Sequence, residues 1–328
     1  MKTEFDLGWG CPIVVRQALV QTLGRSYGFD DIAILDMGYP PHFGTPRLIE
    51  KLKYLAFRHS GHTPKHLVIT CGATGAVNAA LYALSTNRTD WVVTEKHYYP
   101  IYPAIIDMTD MIQIDKAKKA ELIISGLSEH NFISLSASPS NPEGLVCPFD
   151  SVDIYDAAYA SKTYSSGGHI PVKWKVMAGS LSKTLGLAGL RLGWASTDDD
   201  DIAHSLEQYV KTHYVGLSSV SMRMAEKVLD LLDLDAFEKK SAKFVDDNRE
   251  EVQKILTKFG RGDVPSRGMF AILELGKTER KALEKAKIKW QPGSTWGAND
   301  DWARLSLGQD RELVKKAVKE VLKNDKRK

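Results

Sequence analysis

The segment that decides the fold is Ser180-Leu-Ser-Lys-Thr-Leu-Gly-Leu-Ala-Gly-Leu-Arg191-Leu-Gly. It follows directly on the apolar, strand-like run Val176–Gly179, and it places Lys183 in a turn rich in serine and glycine. A lone lysine carries little information, because most lysines are solvated surface groups. The role of Lys183 therefore has to be inferred together with other segments of the chain.

Short apolar, β-branched runs recur along the chain, and stretches with helical patterning such as Ala73–Leu84 lie between several of them. The runs are His66–Thr70, Trp91–Thr94, Leu122–Ser125, Phe132–Ser136, Val152–Tyr155 and Trp174–Ala178. Strands that alternate with helices predict an α/β fold with a mainly parallel sheet, buried on both faces by helices. Sites in such folds gather beyond the carboxyl ends of the strands, which is where the lysine segment begins.

The pattern changes from about residue 218 to long amphipathic helices, Met222–Leu232 and Ala236–Phe259. A strand-like run, Met269–Leu275, and a final helix after Asp310 follow them. This pattern predicts a second, smaller α+β domain. We expect a large domain of residues 26–235 and a small domain of residues 1–25 and 236–328, packed together through the long helix.

Composition excludes several functional classes. The 328 residues are 43% hydrophobic and 26% charged, as in ordinary globular proteins, and the net charge of +3 predicts neither nucleic acid nor another polyanion as a partner. No apolar run approaches the roughly 20 residues that cross a bilayer, so no membrane partner is expected. The three cysteines lie far apart without a Cys-x-x-Cys pair, which predicts no metal site and favours a reducing, cytoplasmic location.

A phosphate site is predicted where Ile69-Thr-Cys-Gly72-Ala-Thr74-Gly-Ala passes from a strand into a helix. Free backbone N–H groups and the helix dipole at such a turn can hold a phosphate. The same turn can also open a dinucleotide-binding unit. It lacks Gly-x-Gly-x-x-Gly, however, and no acidic residue ends a second strand about 20 residues further on, so we rank that interpretation second.

Taken with its neighbours, the lysine segment resembles that of fold-type I enzymes dependent on pyridoxal 5′-phosphate (PLP), the aspartate aminotransferase superfamily. The resemblance makes Lys183 the Schiff-base lysine and Arg191 a phosphate ligand, beside Ser180 and Ser182. It implies the aspartate aminotransferase fold, with a large PLP-binding domain and a smaller α+β domain.

The segment Asp156-Ala-Ala-Tyr159 resembles the family's Asp-x-x-Tyr, in which the aspartate faces the pyridine nitrogen and the tyrosine faces the phenolic oxygen. An ionised carboxylate keeps the ring nitrogen protonated, and the protonated ring stabilises negative charge at the substrate Cα. Without its neighbours, the same segment is equally typical of an aspartate that caps a turn.

Three more segments match the family in chain order. Asn141, in Ser138-Pro-Ser-Asn-Pro-Glu-Gly144, corresponds to the asparagine that donates to the phenolic oxygen and lies beside the substrate; alone, the segment is a plain turn. Tyr99, in Tyr98-Tyr-Pro-Ile-Tyr102, corresponds to the aromatic residue that stacks on the pyridine ring, although buried tyrosines are also common core residues. The residues that match the phosphate cup are Gly72, Ala73 and Thr74.

The resemblance also implies substrate-binding residues and a dimer. Arg304, in Ala-Arg-Leu-Ser-Leu, corresponds to the arginine that binds the substrate α-carboxylate as a bidentate fork. Trp9 and Gly10 match the segment that lies over this carboxylate. Tyr39 occupies the place of the tyrosine that reaches the phosphate of a partner subunit, so we expect a homodimer with shared active sites.

Within the superfamily, Tyr-Tyr-Pro, Ser-Pro-x-Asn-Pro-Glu-Gly-Leu and Ile-Tyr-Asp-x-x-Tyr resemble the alliinase and plant tryptophan aminotransferase branch. The implied function is transamination between an L-amino acid and a 2-oxo acid, with Lys183, Asp156 and Tyr159 as catalytic residues. The first alternative is a C–S lyase of alliinase type, and the second is a PLP-binding regulator or an inert relative. The residues that suit either an aromatic substrate pocket or the core are Trp9, His42, Phe43, Trp296 and Trp302.

Overall fold

The computed structural model describes residues 5–7, 12–24, 38–86, 90–125, 131–146, 151–164, 173–258 and 264–323. The strands in these ranges are β1 (Phe5–Asp6), β2 (His66–Thr70), β3 (Trp91–Thr94), β4 (Ile112–Asp115), β5 (Phe132–Ala137), β6 (Ser151–Asp156), β7 (Lys173–Ser180), β8 (Gly193–Thr197), β9 (Phe270–Glu274), β10 (Ile288–Lys289), β11 (Gln291–Pro292) and β12 (Trp302–Ser306). The helices are α1 (Ile13–Leu23), α2 (Pro46–Phe57), α3 (Gly72–Leu84), α4 (Tyr102–Asp107), α5 (Lys116–Ile124), α6 (Leu181–Thr184), α7 (Asp200–Tyr214), α8 (Ser219–Leu231), α9 (Leu234–Lys258), α10 (Lys277–Lys285) and α11 (Arg311–Lys323).

The described strands form a large sheet in the order β2-β8-β7-β6-β5-β3-β4. Strand β8 runs antiparallel to β2 and β7, and the other neighbours pair in parallel. Along β2, Val68 packs on one face of this sheet, whereas Leu67 and Ile69 pack on the other. Helices cover both faces, so the predicted α/β fold with a mainly parallel sheet is confirmed.

A separate three-stranded antiparallel sheet, β11-β12-β9, lies in the C-terminal part of the chain. Its core contains Leu273 and Leu305 and includes residues from α9 and α11. Leu7 belongs to the same core, because β1 pairs with β10 and the Leu7 carbonyl accepts a hydrogen bond from the Ser306 N–H. This arrangement is compatible with the predicted division into residues 26–235 and residues 1–25 with 236–328, which stays a prediction.

One predicted strand is wrong. Leu122–Ser125 lies at the end of α5 and in the turn after it, although its apolar residues resemble a buried strand. Asp115 caps the helix by accepting a hydrogen bond from the Lys118 N–H, and the sequence that follows is rich in strong helix formers. An apolar run of four residues cannot by itself distinguish a strand from a helix end.

Candidate active site

A cavity of about 730 Å³ opens between the carboxyl ends of β5, β6 and β7 and the small sheet. Its size lies within the range of roughly 300–1,000 Å³ that is usual for ligand pockets. The predicted site residues that line it are Ala73, Thr74, Tyr99, Asn141, Asp156, Tyr159, Ser180, Ser182, Lys183, Arg191 and Arg304. The fold thereby brings together residues that lie more than 200 positions apart in the sequence.

The N-terminus of α3 lies at one end of the cavity. Its N-cap residue, Cys71, makes no side-chain hydrogen bond to the first turn, so the N–H groups there lack a side-chain cap. Gly72 has φ +70°, and a Cβ added to it would lie 2.8 Å from Nη2 of Arg191. A positive guanidinium thus lies against a helix N-terminus, which is an arrangement suited to a phosphate.

The loop that carries Lys183 closes on itself. The Leu181 N–H donates to the Leu192 carbonyl at 3.0 Å, and this bond brings Lys183 and Arg191 to the same end of β7. Ser180 caps α6 by accepting a hydrogen bond from the Ser182 N–H at 3.0 Å. The geometry explains why a strand end followed by serine and glycine residues presents a lysine to the cavity.

Asp156 ends β6 and is almost completely buried. Its carboxylate accepts hydrogen bonds from Tyr102 Oη at 2.7 Å and from the Ala158 N–H at 3.0 Å. Burial raises the pKa of Asp156, while these two donors and the charge of Lys183 oppose that rise. Asp156 is therefore a buried carboxylate that protein donors hold in one orientation.

Tyr102, the first residue of α4, is a site residue whose role the sequence did not reveal. The only signal for it was its place as the last aromatic residue of Tyr98-Tyr-Pro-Ile-Tyr102. Its ring meets the ring of Tyr99 edge to face, with 5.5 Å between centroids. Tyr99 is in turn hydrogen-bonded to the hydroxyl of Thr74, and burial raises the pKa of Tyr99.

Tyr159 lies deep in the cavity between two other aromatic rings. It meets Tyr164 at 5.5 Å and Phe270 at 5.6 Å, edge to face in both cases. Burial raises the pKa of Tyr159, and the charge of Arg304 only partly opposes the rise. Its hydroxyl consequently stays protonated and can donate a hydrogen bond at neutral pH.

Arg304 faces these residues from β12 and is only 4% exposed. Its Nη1 donates to Oδ1 of Asn141 at 2.7 Å, and the guanidinium carbon lies 4.1 Å from the ring centroid of Phe270. Burial lowers the pKa of Arg304 to about 10, although nearby Tyr159 and Tyr99 oppose this. The guanidinium is therefore still charged at neutral pH, and it is shielded from water.

The small sheet supplies two further cavity residues that sequence reasoning missed. Phe270 lies on β9 under the guanidinium of Arg304, and Gln291 lies on β11 directly opposite Arg304 in the antiparallel register. The carboxamide oxygen of Gln291 is buried and has no hydrogen-bond partner among the described residues. No local sequence signal could have identified either residue, because both depend on the pairing of distant strands.

Some predicted residues are not among the described residues that line the cavity. Trp9 and Gly10 lie outside the described residues, so their predicted place over the substrate stays a prediction. Tyr39 is 92% exposed and does not line the cavity in the single chain. The suggested aromatic pocket residues that fall in the described ranges, His42, Phe43, Trp296 and Trp302, do not line it either.

The residues of the cavity fit PLP. The helix N-terminus with Arg191 suits the phosphate, the buried carboxylate of Asp156 suits a protonated ring nitrogen, and Lys183 supplies an amine for the aldehyde carbon. Two features are absent from the described ranges. No group of three His, Cys, Asp or Glu side chains could hold a metal ion, and no helix there is long and apolar enough to cross a membrane.

Comparison with known proteins agrees with this geometry. Residues 58–261 match the model of the family described as Allinase (Alliinase_C). The chain is 30% identical over 195 residues to tryptophan aminotransferase-related protein 1 of Oryza sativa subsp. japonica. That alignment covers 56% of this chain and 42% of that protein. It is 26% identical over 183 residues to alliin lyase of Allium cepa var. aggregatum. This second alignment covers 50% of this chain and 39% of that protein.

These plant proteins are much longer than the matched region, so the chain spans only about two fifths of their length. Among solved structures, an archaeal alanine:glyoxylate aminotransferase superposes with a TM-score of 0.81 at 19% identity, over 98% of this chain and 90% of that one. That likeness establishes the aspartate aminotransferase fold. The family match covers more than half of the chain, and the chain therefore belongs to the alliinase family of PLP-dependent enzymes.

Proposed function

We propose that the chain is a PLP-dependent aminotransferase, which transfers the amino group of an L-amino acid to a 2-oxo acid. The observation that carries the proposal is that Lys183, Asp156 and Arg304 line one cavity. A cofactor-binding amine, a carboxylate for the ring nitrogen and a cation for the substrate carboxylate are the groups that this chemistry requires. When bound, PLP supplies an electron sink for the charge that develops at the substrate Cα.

Lys183 has two roles in this proposal. With PLP bound, its amine would hold the aldehyde carbon of the cofactor, and the same amine, once free, would accept the proton from the substrate Cα and give it up again. Asp156 holds a negative charge beside the ring nitrogen and keeps it protonated. The two protein donors on Asp156 favour the ionised carboxylate and oppose the rise in its pKa that burial causes.

Arg304 binds and orients the substrate. A guanidinium can hold a carboxylate through two parallel hydrogen bonds, and burial strengthens them because water is excluded. Asn141 fixes one side of the guanidinium and Phe270 supports its face. Tyr159 stays protonated, so it can donate to the phenolic oxygen of the cofactor while the side chain of Tyr99 covers the ring.

A C–S lyase of alliinase type is the second candidate. The match to the alliinase family and to an Allium alliin lyase favours it, because the same deprotonated Cα can expel a leaving group from Cβ. None of the described residues that line the cavity selects for such a leaving group. The aromatic residues Tyr99, Tyr159, Phe270 and Trp290 in its lining support an aromatic amino acid as one donor to test.

A half-reaction screen separates these candidates. Purified protein loaded with PLP is mixed with single amino acids, including tryptophan, alanine and an S-alkyl cysteine sulfoxide, without an oxo acid. A transaminase converts the cofactor stoichiometrically to pyridoxamine phosphate and stops, whereas a lyase releases pyruvate and ammonia over many turnovers. A protein that changes neither its cofactor nor any amino acid would contradict both proposals and support the inert relative or regulator.

The proposal includes a homodimer with shared active sites. The ring of Tyr39 is almost fully exposed in the single chain, and burial of such a residue in a two-fold interface would be typical. In this arrangement Tyr39 reaches the phosphate of the partner's cofactor. A cytoplasmic location belongs to the same proposal, because the scattered cysteines suit a reducing compartment.

Complementation tests the shared site. Tyr39→Ala and Lys183→Ala subunits, each impaired as homodimers, are co-expressed with different tags so that mixed dimers can be isolated. A mixed dimer then contains one site with both native residues and should recover up to about half of the native activity. Mixed dimers that are no more active than the two parents together would rule out action of Tyr39 in trans.

A further inference from the structure

A close histidine–glutamate contact lies just outside the cavity and joins two segments that each carry a cavity residue. His97 Nδ1 and Glu143 Oε1 are 2.8 Å apart, and both side chains are about one quarter exposed. His97 lies two residues before Tyr99, and Glu143 lies two residues after Asn141. The pair therefore connects the segment of the ring-covering tyrosine with the turn of the asparagine that holds Arg304.

A third segment is attached at the same point. The ring of His97 meets Trp296 edge to face, with 5.4 Å between centroids, and the Tyr98 N–H donates to the Trp296 carbonyl at 3.2 Å. Gly297 permits this approach, because an added Cβ would lie 2.3 Å from the Lys96 carbonyl oxygen. The turn that contains Trp296 connects β11 to β12, and β12 carries Arg304.

The asparagine turn is held tightly on its other side. Gly144 has φ +66°, and a Cβ added there would lie 2.1 Å from the Arg267 carbonyl oxygen. The turn is closed by hydrogen bonds from the Ser140 N–H to the Leu145 carbonyl and from the Gly144 N–H to the Ser140 carbonyl. Within this turn Asn141 bonds to Arg304 and Glu143 bonds to His97, so its two polar side chains fix it to different parts of the molecule.

Glu143 also interacts electrostatically with a nearby carboxyl group, that of Glu95. Burial raises the pKa of Glu95, which accepts a hydrogen bond from Ser136, and the charge of Glu143 raises that pKa further. Lys116 acts in the opposite direction. Two ionised carboxylates repel each other, so the contact with His97 Nδ1 opposes movement of Glu143, and of the turn that contains Asn141, away from its present position.

We propose that His97 and Glu143 form a positioning pair, which sets Asn141 and Tyr99 relative to each other and thereby aligns Arg304 with the bound cofactor. This inference rests on the proposed function, because it assigns the α-carboxylate to Arg304 and the pyridine ring to Tyr99. The pair touches neither substrate nor cofactor. Its loss should therefore weaken the binding of both, while Lys183 and Asp156 keep their own contacts and the chemical step is largely preserved.

A double-mutant cycle tests the pair. His97→Phe keeps a ring against Trp296 but removes the Nδ1 contact, and Glu143→Met keeps the volume of the side chain but removes its charge. Each single variant should raise the dissociation constant of PLP and the KM of the amino donor by about fivefold, and kcat should change by less than about twofold. The double variant should be no worse than either single variant, and Glu143→Gln, which retains an acceptor, should lie near the wild type.

The chain offers a matched control. His62 contacts Asp198 at the same distance, 2.8 Å, and also has a tryptophan ring, Trp174, within 6.3 Å, but none of the three residues lines the active-site cavity. His62→Phe should leave the PLP dissociation constant and KM unchanged. Equal effects of His62→Phe and His97→Phe, or a change in thermal stability alone, would mean that the pair has only a structural role.

The cycle also distinguishes failure of this inference from failure of the proposed function. Strictly additive effects in an enzyme that binds PLP and turns over would overturn the positioning pair alone. A wild-type protein without turnover would overturn the proposed function, and the pair would then be judged by the dissociation constant of PLP. A wild-type protein that does not bind PLP would overturn both.

Discussion

The cavity has two walls that are built in different ways. The large-sheet wall consists of residues at strand ends and at the start of α3, and its members include Thr74, Asp156, Ser180, Lys183 and Arg191. The small-sheet wall consists of Phe270, Gln291 and Arg304, one from each strand of the β11-β12-β9 sheet.

The polar groups of the two walls also differ in their partners. On the large-sheet wall, Asp156 accepts hydrogen bonds from Tyr102 and Ala158, and Ser180 accepts one from Ser182 a few atoms away. On the small-sheet wall, the carboxamide oxygen of Gln291 has no hydrogen-bond partner among the described residues. Buried polar groups normally have partners, so the small-sheet wall is where a ligand would complete the structure.

The largest expected effect comes from the large-sheet wall. Lys183→Ala should remove the visible absorbance of the lysine-bound cofactor and lower turnover by roughly 10²–10⁴-fold or more, because both the covalent anchor and the general base are lost. Absorbance spectra and single-turnover kinetics measure the two losses. Lys175→Ala is the control, since this lysine lies on β7, the strand that precedes Lys183, but pairs with Asp153. Borohydride reduction and mass spectrometry should find the adduct on Lys183, and an adduct on another lysine would contradict the assignment.

On the small-sheet wall, Arg304→Lys should impair the substrate and spare the cofactor. A lysine keeps the charge but loses the two parallel hydrogen bonds, and charge-assisted bonds are each worth roughly 1.5–3 kcal/mol, so kcat/KM should fall about a hundredfold. The dissociation constant of PLP should change little. Arg280→Lys, which alters an arginine paired with Asp301 outside the cavity, is the control. If Arg304→Lys weakened PLP and substrate equally, the division of roles between the walls would be wrong.

The two walls also mark what the sequence could and could not predict. Asp156, Lys183 and Arg191 were predicted through family segments that each follow the end of a strand, so the resemblance and the strand pattern together place them at the carboxyl edge of the sheet. Arg304 was found only through its family motif. Its contact with Asn141 joins residues 163 positions apart and could not be inferred from either segment alone.

The residues that were missed, Tyr102, Phe270 and Gln291, share a physical reason. Each enters the cavity through a tertiary contact, with Asp156, with the guanidinium of Arg304, or across the β11–β12 pairing. Aromatic and amide side chains at such positions look like ordinary core or surface residues in the sequence. The strand wrongly predicted at Leu122–Ser125 shows the reverse case, in which helix propensity and a cap outweighed a short apolar run.

The pH dependence of activity tests how the large-sheet wall holds Asp156. The hydrogen bond from Tyr102 lowers the pKa of this carboxyl group against the effect of burial, so Tyr102→Phe should raise that pKa. Activity requires the ionised carboxylate, and it is lost as the pH falls through the pKa. The acidic limb of the kcat/KM profile should therefore move to higher pH, because a charge-assisted hydrogen bond that favours the ionised carboxylate is lost.

Tyr155→Phe is the matched control for this shift. Like Tyr102, Tyr155 is buried, and it is the residue before Asp156 in the sequence, but its hydroxyl donates to the Ser138 carbonyl and not to a carboxylate. Its removal should alter stability without moving the acidic limb. Identical profiles for the two variants would show that Tyr102 does not control the ionisation of Asp156.

The smallest expected effect concerns Gln291, which lies opposite Arg304 in the register of β11 and β12. Residues directly opposite in an antiparallel pair have their Cβ atoms about 4.5–5.5 Å apart on the same face, so a new charge at position 291 would act on the guanidinium. Gln291→Glu places an anion where it competes with the substrate carboxylate for Arg304, and the KM of the amino donor should rise about fivefold, which is an interaction of about 1 kcal/mol.

Gln291→Met has a similar volume without charge and should change KM by less than about twofold. Both variants should bind PLP as the wild type does, because the large-sheet wall is untouched. If the two variants raised KM equally, packing at β11 rather than charge would control the substrate side, and if both weakened PLP, the two walls would not act independently.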